Sequence, residues 1–233
     1  MKIDIKGIIV PNDDKWIYDW MEIGAVSPKD VATQIANASA GEELEVEINS
    51  GGGDVYSGSE IYTALKGYAG NVLVKIVGVA ASAASVIAMA GKKVVMSPTA
   101  QFMIHNVASG LIGDHRAFEH EAIVLKSHDV GIANAYILKT GMTQKDLLKL
   151  MDTETFLNAQ EALKNKFIDE IMFDEGKKLV ASIGAGIIPQ EVINKMRNYL
   201  KANEPLPPKD DSRQVSVNLY QAQILLNRRK NNV

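Results

Sequence analysis

Ser82 stands in Gly78-Val79-Ala80-Ala81-Ser82-Ala83-Ala84-Ser85, directly after a run that reads as a strand and at the start of one that reads as a helix. Small neighbours let a substrate backbone reach its hydroxyl, and a helix N-terminus favours the negative charge that develops in acyl transfer. The competing reading is that Ser and Ala serve close packing. His105 follows the apolar run Gln101-Phe102-Met103-Ile104 and precedes Asn106. That is a strand end, where parallel sheets gather catalytic groups; a hydrogen-bonded core histidine is the alternative. The other histidines, His115, His120 and His128, lie among charges on one long helical stretch and are expected to be solvated.

Two further segments could complete such chemistry. Asn49-Ser50-Gly51-Gly52-Gly53-Asp54 follows the strand-like LEVEI. Glycines there could aim backbone N–H groups at a phosphate or an oxyanion, or could simply turn the chain before a helix. No Gly-Lys-Ser/Thr follows, so the loop is not a P-loop, and the spacing is not that of a dinucleotide fold. Met151-Asp152-Thr153-Glu154-Thr155-Phe156 places two carboxylates near a helix end, where either could orient an imidazole or both could be plain solvated charge.

Composition narrows the options. The 233 residues carry 25 Lys and Arg against 28 Asp and Glu, a net charge of −3, and 46% hydrophobic residues, enough for one sizeable core plus an appendage. With no cysteine there is no disulfide framework, thiolate metal site or cysteine nucleophile, so covalent chemistry must use Ser, Thr, Lys or a carboxylate. No metal-ligand cluster is apparent, and neither metal nor cofactor is expected. The balanced charge argues against a dedicated nucleic-acid binder. The uncharged run IVGVAASAASVIAMAG falls short of the ~20 residues of a membrane span and reads as buried core. The N-terminal MKIDIKGIIVPNDDKW offers no signal-peptide core, so the expectation is a cytoplasmic protein without a membrane partner.

The elements that would position these residues alternate strand and helix. KIDIKGIIV alternates polar and apolar residues as a strand; Ser27 and Pro28 provide a cap and first-turn proline for a helix over Val31, Ile35 and Ala38. LEVEI (44–48) is a second strand, helical spacing resumes at Ser57 and continues to about Gly70, and VLVKIV (72–77) is a third strand; KVVMS and QFMI are short strands. This rhythm implies right-handed βαβ units and a largely parallel sheet. A long helix is expected from Asp114 to Lys139, ending at Gly141. Thr143 with Asp146, and Asn158 with Glu161, each resemble a cap followed by an acid, opening two shorter helices. Residues 1–175 are expected to form the domain. Residues 176–233 are read as an extension made of the flexible ASIGAGIIP, a QEVINKMRNYLK helix, the NEPLPPKDDSRQ linker and a polar, basic tail.

Taken together, NSGGGDV, GVAASAAS, FMIH and ETFLNAQEALKNKFID, in that order, resemble the ClpP serine peptidases. The corresponding family stretches are a Ser-x-Gly-Gly-Val turn, a Gly-x-Ala-Ala-Ser nucleophile segment, Met-Ile-His, and Asp-x-Phe before a helix ending in Gly-Leu-x-Asp. The resemblance covers about residues 1–175 and implies an α/β spiral of repeated ββα units, of ClpP/crotonase type, with a protruding handle helix at 114–139. Within it the chain is most similar to ClpP-related head-maturation (prohead) proteases of tailed phages and prophages. The likeness lies in the brief N-terminus, the Asp after the glycines, AASAAS, the Glu-Thr before the aromatic and the C-terminal tail. Carried over, Ser82 matches the nucleophile, His105 the general base, and Gly53 and Ala83 the oxyanion-hole donors, with Gly52 and Asp54 beside them as substrate-binding positions. The family's aspartate falls on Glu154, with Asp152 the alternative acid.

The resemblance further implies a homo-oligomeric ring, possibly of stacked rings, acting on protein or peptide substrates. The brief N-terminus lacks the stretch that lines the ClpP axial pore, which argues against docking to an AAA+ unfoldase and favours scaffold or capsid precursors as substrates. The location implied is the bacterial host cytoplasm or the procapsid interior. Three other readings stand beside this one: a crotonase-type acyl-CoA hydratase or isomerase, which needs no Ser-His pair; a Ser-Lys peptidase of the signal-peptide-peptidase A type, against which His105 argues; and a degenerate ring with a structural or scaffold-binding role.

Overall fold

The structure, a computed structural model, describes residues 1–174 together with Asn194, Arg197 and Asn198. The chain divides into two units, Met1–Lys177 and Lys178–Val233. Of the second, Asn194, Arg197 and Asn198 are helical and exposed, within the expected QEVINKMRNYLK helix. The remaining expectations for 176–233, including the linker and the basic tail, lie outside the described residues.

The first unit runs β1 (Lys2–Ile9), α1 (Lys15–Trp20), β2 (Ala25–Val26), α2 (Pro28–Ala36), β3 (Leu44–Gly53), α3 (Val55–Lys66), β4 (Val72–Ala81), α4 (Ala83–Ala88), β5 (Lys93–Met96) and β6 (Gln101–Ile104). It continues with α5 (His115–Thr140), α6 (Gln144–Asp152), β7 (Thr155–Leu157), α7 (Ala159–Lys164) and β8 (Glu170–Ile171). The sheet order is β2-β1-β3-β4-β5-β8, with β6 pairing β4 and β7 outside that path. Every pairing is parallel except β6 with β7. This is the α/β, mostly parallel architecture that the alternating strand and helix patterns imply.

The apolar alternation becomes the core directly. Ile3 and Ile5 of β1, Leu44, Val46 and Ile48 of β3, and Val74 and Ile76 of β4 are fully buried on one face, each contributing about 1.5–3 kcal/mol by leaving water. Ile61 and Leu65, one turn apart on α3, close over them. Caps set the helix starts. The Ser27 hydroxyl accepts from Asp30 N–H and the Asp30 carboxylate accepts from Ser27 N–H, a complete capping box before Pro28. Thr143 caps α6, Asn158 and Glu161 box α7, and Gly141 ends α5 in the left-handed conformation at φ 72°.

Two boundaries differ from the sequence reading where it matters for the site. The strand at 44–48 does not stop before the glycines: β3 runs on to Gly53, pairing Ile8 with Gly52 and Ile9 with Gly53 beyond a register shift. Likewise β4 extends to Ala81. The glycines are therefore a bulged strand end rather than a turn, because φ of +98° at Gly52 and +150° at Gly53 lets the strand bend while it keeps its neighbour. The following helix starts at Val55, not Ser57, since the Asp54 carboxylate accepts from both Ser57 N–H and Ser57 Oγ–H and caps it there. The run IVGVAASAASVIAMAG divides into the end of β4 and all of α4, whose six residues are buried. Among the described residues no helix is long and apolar enough to cross a membrane.

Candidate active site

The ends of β3, β4 and β6 meet at one place. β4 pairs with β3 on one side (Ser50 with Ala80) and with β6 on the other (Val79 with Gln101, Ala81 with Met103). The residue after β4 is Ser82, and the residue after β6 is His105. Parallel neighbours in register thus deliver a hydroxyl and an imidazole to the same edge, and the side chains meet: Ser82 Oγ and His105 Nε2 are 2.8 Å apart. With the ring proton on Nδ1, the hydroxyl donates to Nε2, the geometry a general base needs.

Ser82 is bent into a conformation that non-glycine residues rarely adopt, φ 54° and ψ −128°. It serves as the N-cap residue of α4 without using its side chain as a cap, so the hydroxyl stays free for His105. The backbone is held on both sides: Ser82 N–H donates to Met103 C=O at 3.1 Å, and Ser82 C=O accepts from Ser85 N–H at 2.9 Å and from the Ser85 hydroxyl at 2.6 Å. A sharp strand-to-helix turn that presents a serine at a sheet edge is a known way of exposing a nucleophile.

Gly52 packs against this turn with no room for a side chain. A Cβ on it would lie 2.7 Å from Ser82 Cβ and 2.8 Å from Ala81 C=O, and one on Gly58 would lie 2.8 Å from Ala83 Cβ. Gly53 is exposed beside it, while Ala83 opens α4, so its N–H is one of the donors a helix start leaves without an intrahelical acceptor. Gly53, Val55, Gly58, Ser82, Ala83 and His105 line a cleft of about 270 Å³, walled further by Val86, Val107 and Ile132. Asp54, next in the chain to Gly53, has its carboxylate engaged in the α3 cap.

The acidic residues sit on the far side of His105. The antiparallel register of β6 and β7 ends by pairing Ile104 with Thr155, the residues next in the chain to His105 and Glu154. Glu154 has φ 47° in the turn after α6, its N–H donates to Met151 C=O, and its side chain is exposed. Asp152 accepts from Asn106 Nδ2 at 2.9 Å. Neither carboxylate makes a hydrogen bond to His105 among the described residues; the imidazole's side-chain partner there is Ser82.

A third acid, Asp129 of α5, was not singled out by the sequence; it is buried and accepts from Val107 N–H at 2.7 Å. Asp152 and Asp129 thereby tie down the two residues that follow His105. Nothing in the spacing of the long helix marks Asp129, since its partner is a backbone group in a loop 22 positions away. His115 and His120 are exposed, as their charged surroundings imply. His128 is not: it is half-buried against Tyr56, with its Nε2 3.2 Å from the phenolic oxygen and the rings edge to face at 5.5 Å. Its long-range partner comes from α3, which helix periodicity alone does not reveal. Among the described residues no cluster of three or more His, Asp or Glu side chains is placed to hold a metal ion.

Comparison with known proteins finds similarity to Clp proteases. A family model described as Clp protease matches residues 20–175. The ATP-dependent Clp protease proteolytic subunit of Deinococcus radiodurans is 34% identical over 134 residues, which cover 56% of this chain and 65% of that relative. The chain thus spans just under two thirds of the length of the curated relative it matches. Among solved structures, a mutant of ClpP1 from Listeria monocytogenes superposes with a TM-score of 0.59 at 24% identity, over 73% of this chain and 90% of that one, a likeness of fold.

Proposed function

The chain belongs to the Clp protease family, and from that premise we propose that it is a serine endopeptidase in which Ser82 attacks a peptide carbonyl and His105 takes the hydroxyl proton. The observation that carries this reading is the 2.8 Å approach of Ser82 Oγ to His105 Nε2 at the mouth of an open cleft. The proton taken by His105 is returned to the leaving amine, and water then releases the acyl group by the same path. Gly53 N–H and Ala83 N–H are the donors proposed for the oxyanion. Both flank Ser82, and stabilising that charge is usually the largest single contribution to acyl transfer. Gly52 and Asp54 shape the strand edge along which an extended substrate would lie, Gly52 through its close approach to Ser82 and Asp54 by fixing where α3 begins.

Glu154 is the acid proposed for the third position, with Asp152 the alternative. Supporting Glu154 is the ladder end at Ile104 and Thr155, one residue from His105 and from Glu154, while Asp152 is engaged by Asn106. Catalytic contacts in unloaded sites are often longer than in loaded ones, so an acid without a hydrogen bond to His105 here remains a candidate. Glu154→Gln is expected to lower kcat at least about tenfold with KM little changed, and Asp152→Asn to leave kcat within a factor of about two. Steady-state hydrolysis of a fluorogenic peptide checks both, and the reverse pattern would transfer the role to Asp152.

The substrates we propose are the scaffold or capsid precursors of a tailed phage, cleaved by a homo-oligomeric ring in the host cytoplasm or procapsid, either independently of ATP or with a partner's help, the features of the sequence disfavouring an AAA+ unfoldase. What favours this is the set of sequence features shared with the head-maturation subgroup, above all AASAAS around Ser82 and the Asp after the glycines. Incubating the protein with the capsid and scaffold products of neighbouring genes is expected to yield truncated fragments without ATP. Cleavage of unrelated unfolded proteins only when an unfoldase and ATP are added would contradict that substrate class.

A further inference from the structure

We propose that Ser85 and Tyr136 are positioning residues that orient and polarise the Ser82–Ala83 peptide group, so that a hydroxyl on the long helix α5 acts on the oxyanion donor through a two-step hydrogen-bond relay. The inference rests on the reading of Ser82 as nucleophile and Ala83 N–H as an oxyanion donor.

Tyr136 is fully buried, at 1% exposure, and Ser85 at 0%. Their hydroxyl oxygens are 2.7 Å apart, and Ser85 Oγ is also 2.6 Å from Ser82 C=O. The direction of both bonds follows from proton counting. A carbonyl can only accept, so the single Ser85 proton must go to Ser82 C=O; the Tyr136 hydroxyl must then donate to Ser85 Oγ. Burial pushes the Tyr136 phenol above its ordinary value, so it keeps that proton across the working pH range. A buried phenol left without a partner is costly, which makes this pairing obligatory rather than incidental. Chains of hydrogen bonds also polarise one another in a low-dielectric interior.

The far end of the relay is what links it to chemistry. Ser82 C=O and Ala83 N–H belong to one planar peptide unit. Pulling electron density onto that carbonyl oxygen makes the N–H at the other end a better donor, and fixing the oxygen fixes the direction in which the N–H points. The same bond holds the strained Ser82 backbone, whose φ of 54° needs support from its surroundings. Tyr136 is itself held by ring contacts: it meets Phe167 edge to face at 5.8 Å, and Phe167 packs at 5.0 Å on Phe102 of β6, three residues before His105. One side chain of α5 therefore braces both the serine turn and the strand that carries the histidine. Neither Ser85 nor Tyr136 touches the cleft, so both act through other groups.

The test uses the full-length chain and a fluorogenic peptide, with active sites counted by fluorophosphonate labelling so that kcat is expressed per reactive Ser82. Ser85→Ala is expected to lower that kcat about tenfold, short of the ~10²–10³ lost when an oxyanion donor is removed outright, with KM unchanged. Tyr136→Phe, which deletes only the hydroxyl, is expected to lower it about threefold, and the double variant to match Ser85→Ala because Tyr136 acts through Ser85. Ser85→Thr, which restores the donor, should recover most of the loss. Additive losses in the double variant, or wild-type kcat per labelled site in Ser85→Ala and Tyr136→Phe, would overturn the relay. If Ser85→Ala does not fold, Tyr136→Phe and Ser85→Thr decide the matter. Undiminished hydrolysis by Ser82→Ala would instead show that the underlying reading of the site is at fault.

Discussion

Ser82→Gly is expected to lose at least about 10⁴-fold in peptide hydrolysis while melting at a higher temperature than the wild type. The loss of activity follows because, among the described residues, no other hydroxyl lines the cleft beside His105. The gain in stability follows from the backbone. Ser82 sits at φ 54°, ψ −128°, a strained conformation that costs a residue with a Cβ about 1–3 kcal/mol. Glycine adopts it freely, at the expense of about 0.5–1 kcal/mol of extra chain entropy in the unfolded state. The net expectation is about 1 kcal/mol of stabilisation, or roughly 2–4 °C for a domain of this size. Ser82→Ala separates the two effects: it is equally inactive but keeps the strain, so its melting temperature should stay near that of the wild type. Differential scanning calorimetry of the three proteins checks this. A Ser82→Gly protein that melts below Ser82→Ala would mean that the turn is not strained.

The second large effect lies in the glycine run, whose members are not equivalent. A Cβ on Gly53 would fall 2.1 Å from Ile9 C=O and 2.8 Å from Ile9 N, and the residue has φ +150°. Those neighbours are backbone atoms of the paired strand β1 and cannot rotate aside, so β1 and β3 must separate at the cleft. Gly53→Ala is expected to destabilise by roughly 3 kcal/mol or more, a fall of about 6–12 °C in melting temperature. Where folded, it should lose at least about 10²-fold in kcat through displacement of its N–H. Gly51 is the internal control. It has open space where a Cβ would go and no positive φ, so Gly51→Ala should change stability by less than about 0.5 kcal/mol. A comparable loss at both positions would mean that the run is a generic flexible turn.

The parts of this site that were legible in the sequence are those written in local pattern. Alternation in KIDIKGIIV and LEVEI, the Ser27-Pro28 start and the caps at Thr143 and Asn158 each depend on residues a few positions apart, and the corresponding elements form. Ser82 and His105 stand out in the same way only as candidates, a hydroxyl and an imidazole each following an apolar strand, and it is the resemblance to the ClpP peptidases that raises them above a packing serine and a core histidine. What local pattern does not carry is register. That β3 runs through the glycines to Gly53 depends on its pairing with Ile9, 44 positions earlier. The pairing of Ile104 with Thr155, beside His105 and Glu154, comes from β7, a three-residue antiparallel strand too short to announce itself. Ser85 and Tyr136 were invisible for the same reason: a serine among alanines reads as packing, and only the fold brings a phenol from 51 positions away onto it.

If His105 makes Ser82 a nucleophile, the rate at which Ser82 is acylated or phosphonylated must depend on the imidazole. The protein is treated with a fluorophosphonate and the adduct is mapped by peptide mass spectrometry, in the wild type and in His105→Ala. A single adduct is expected on the peptide containing Ser82, formed at least about 10²-fold more slowly without the imidazole. No adduct at Ser82, or labelling that proceeds equally fast in His105→Ala, would contradict it.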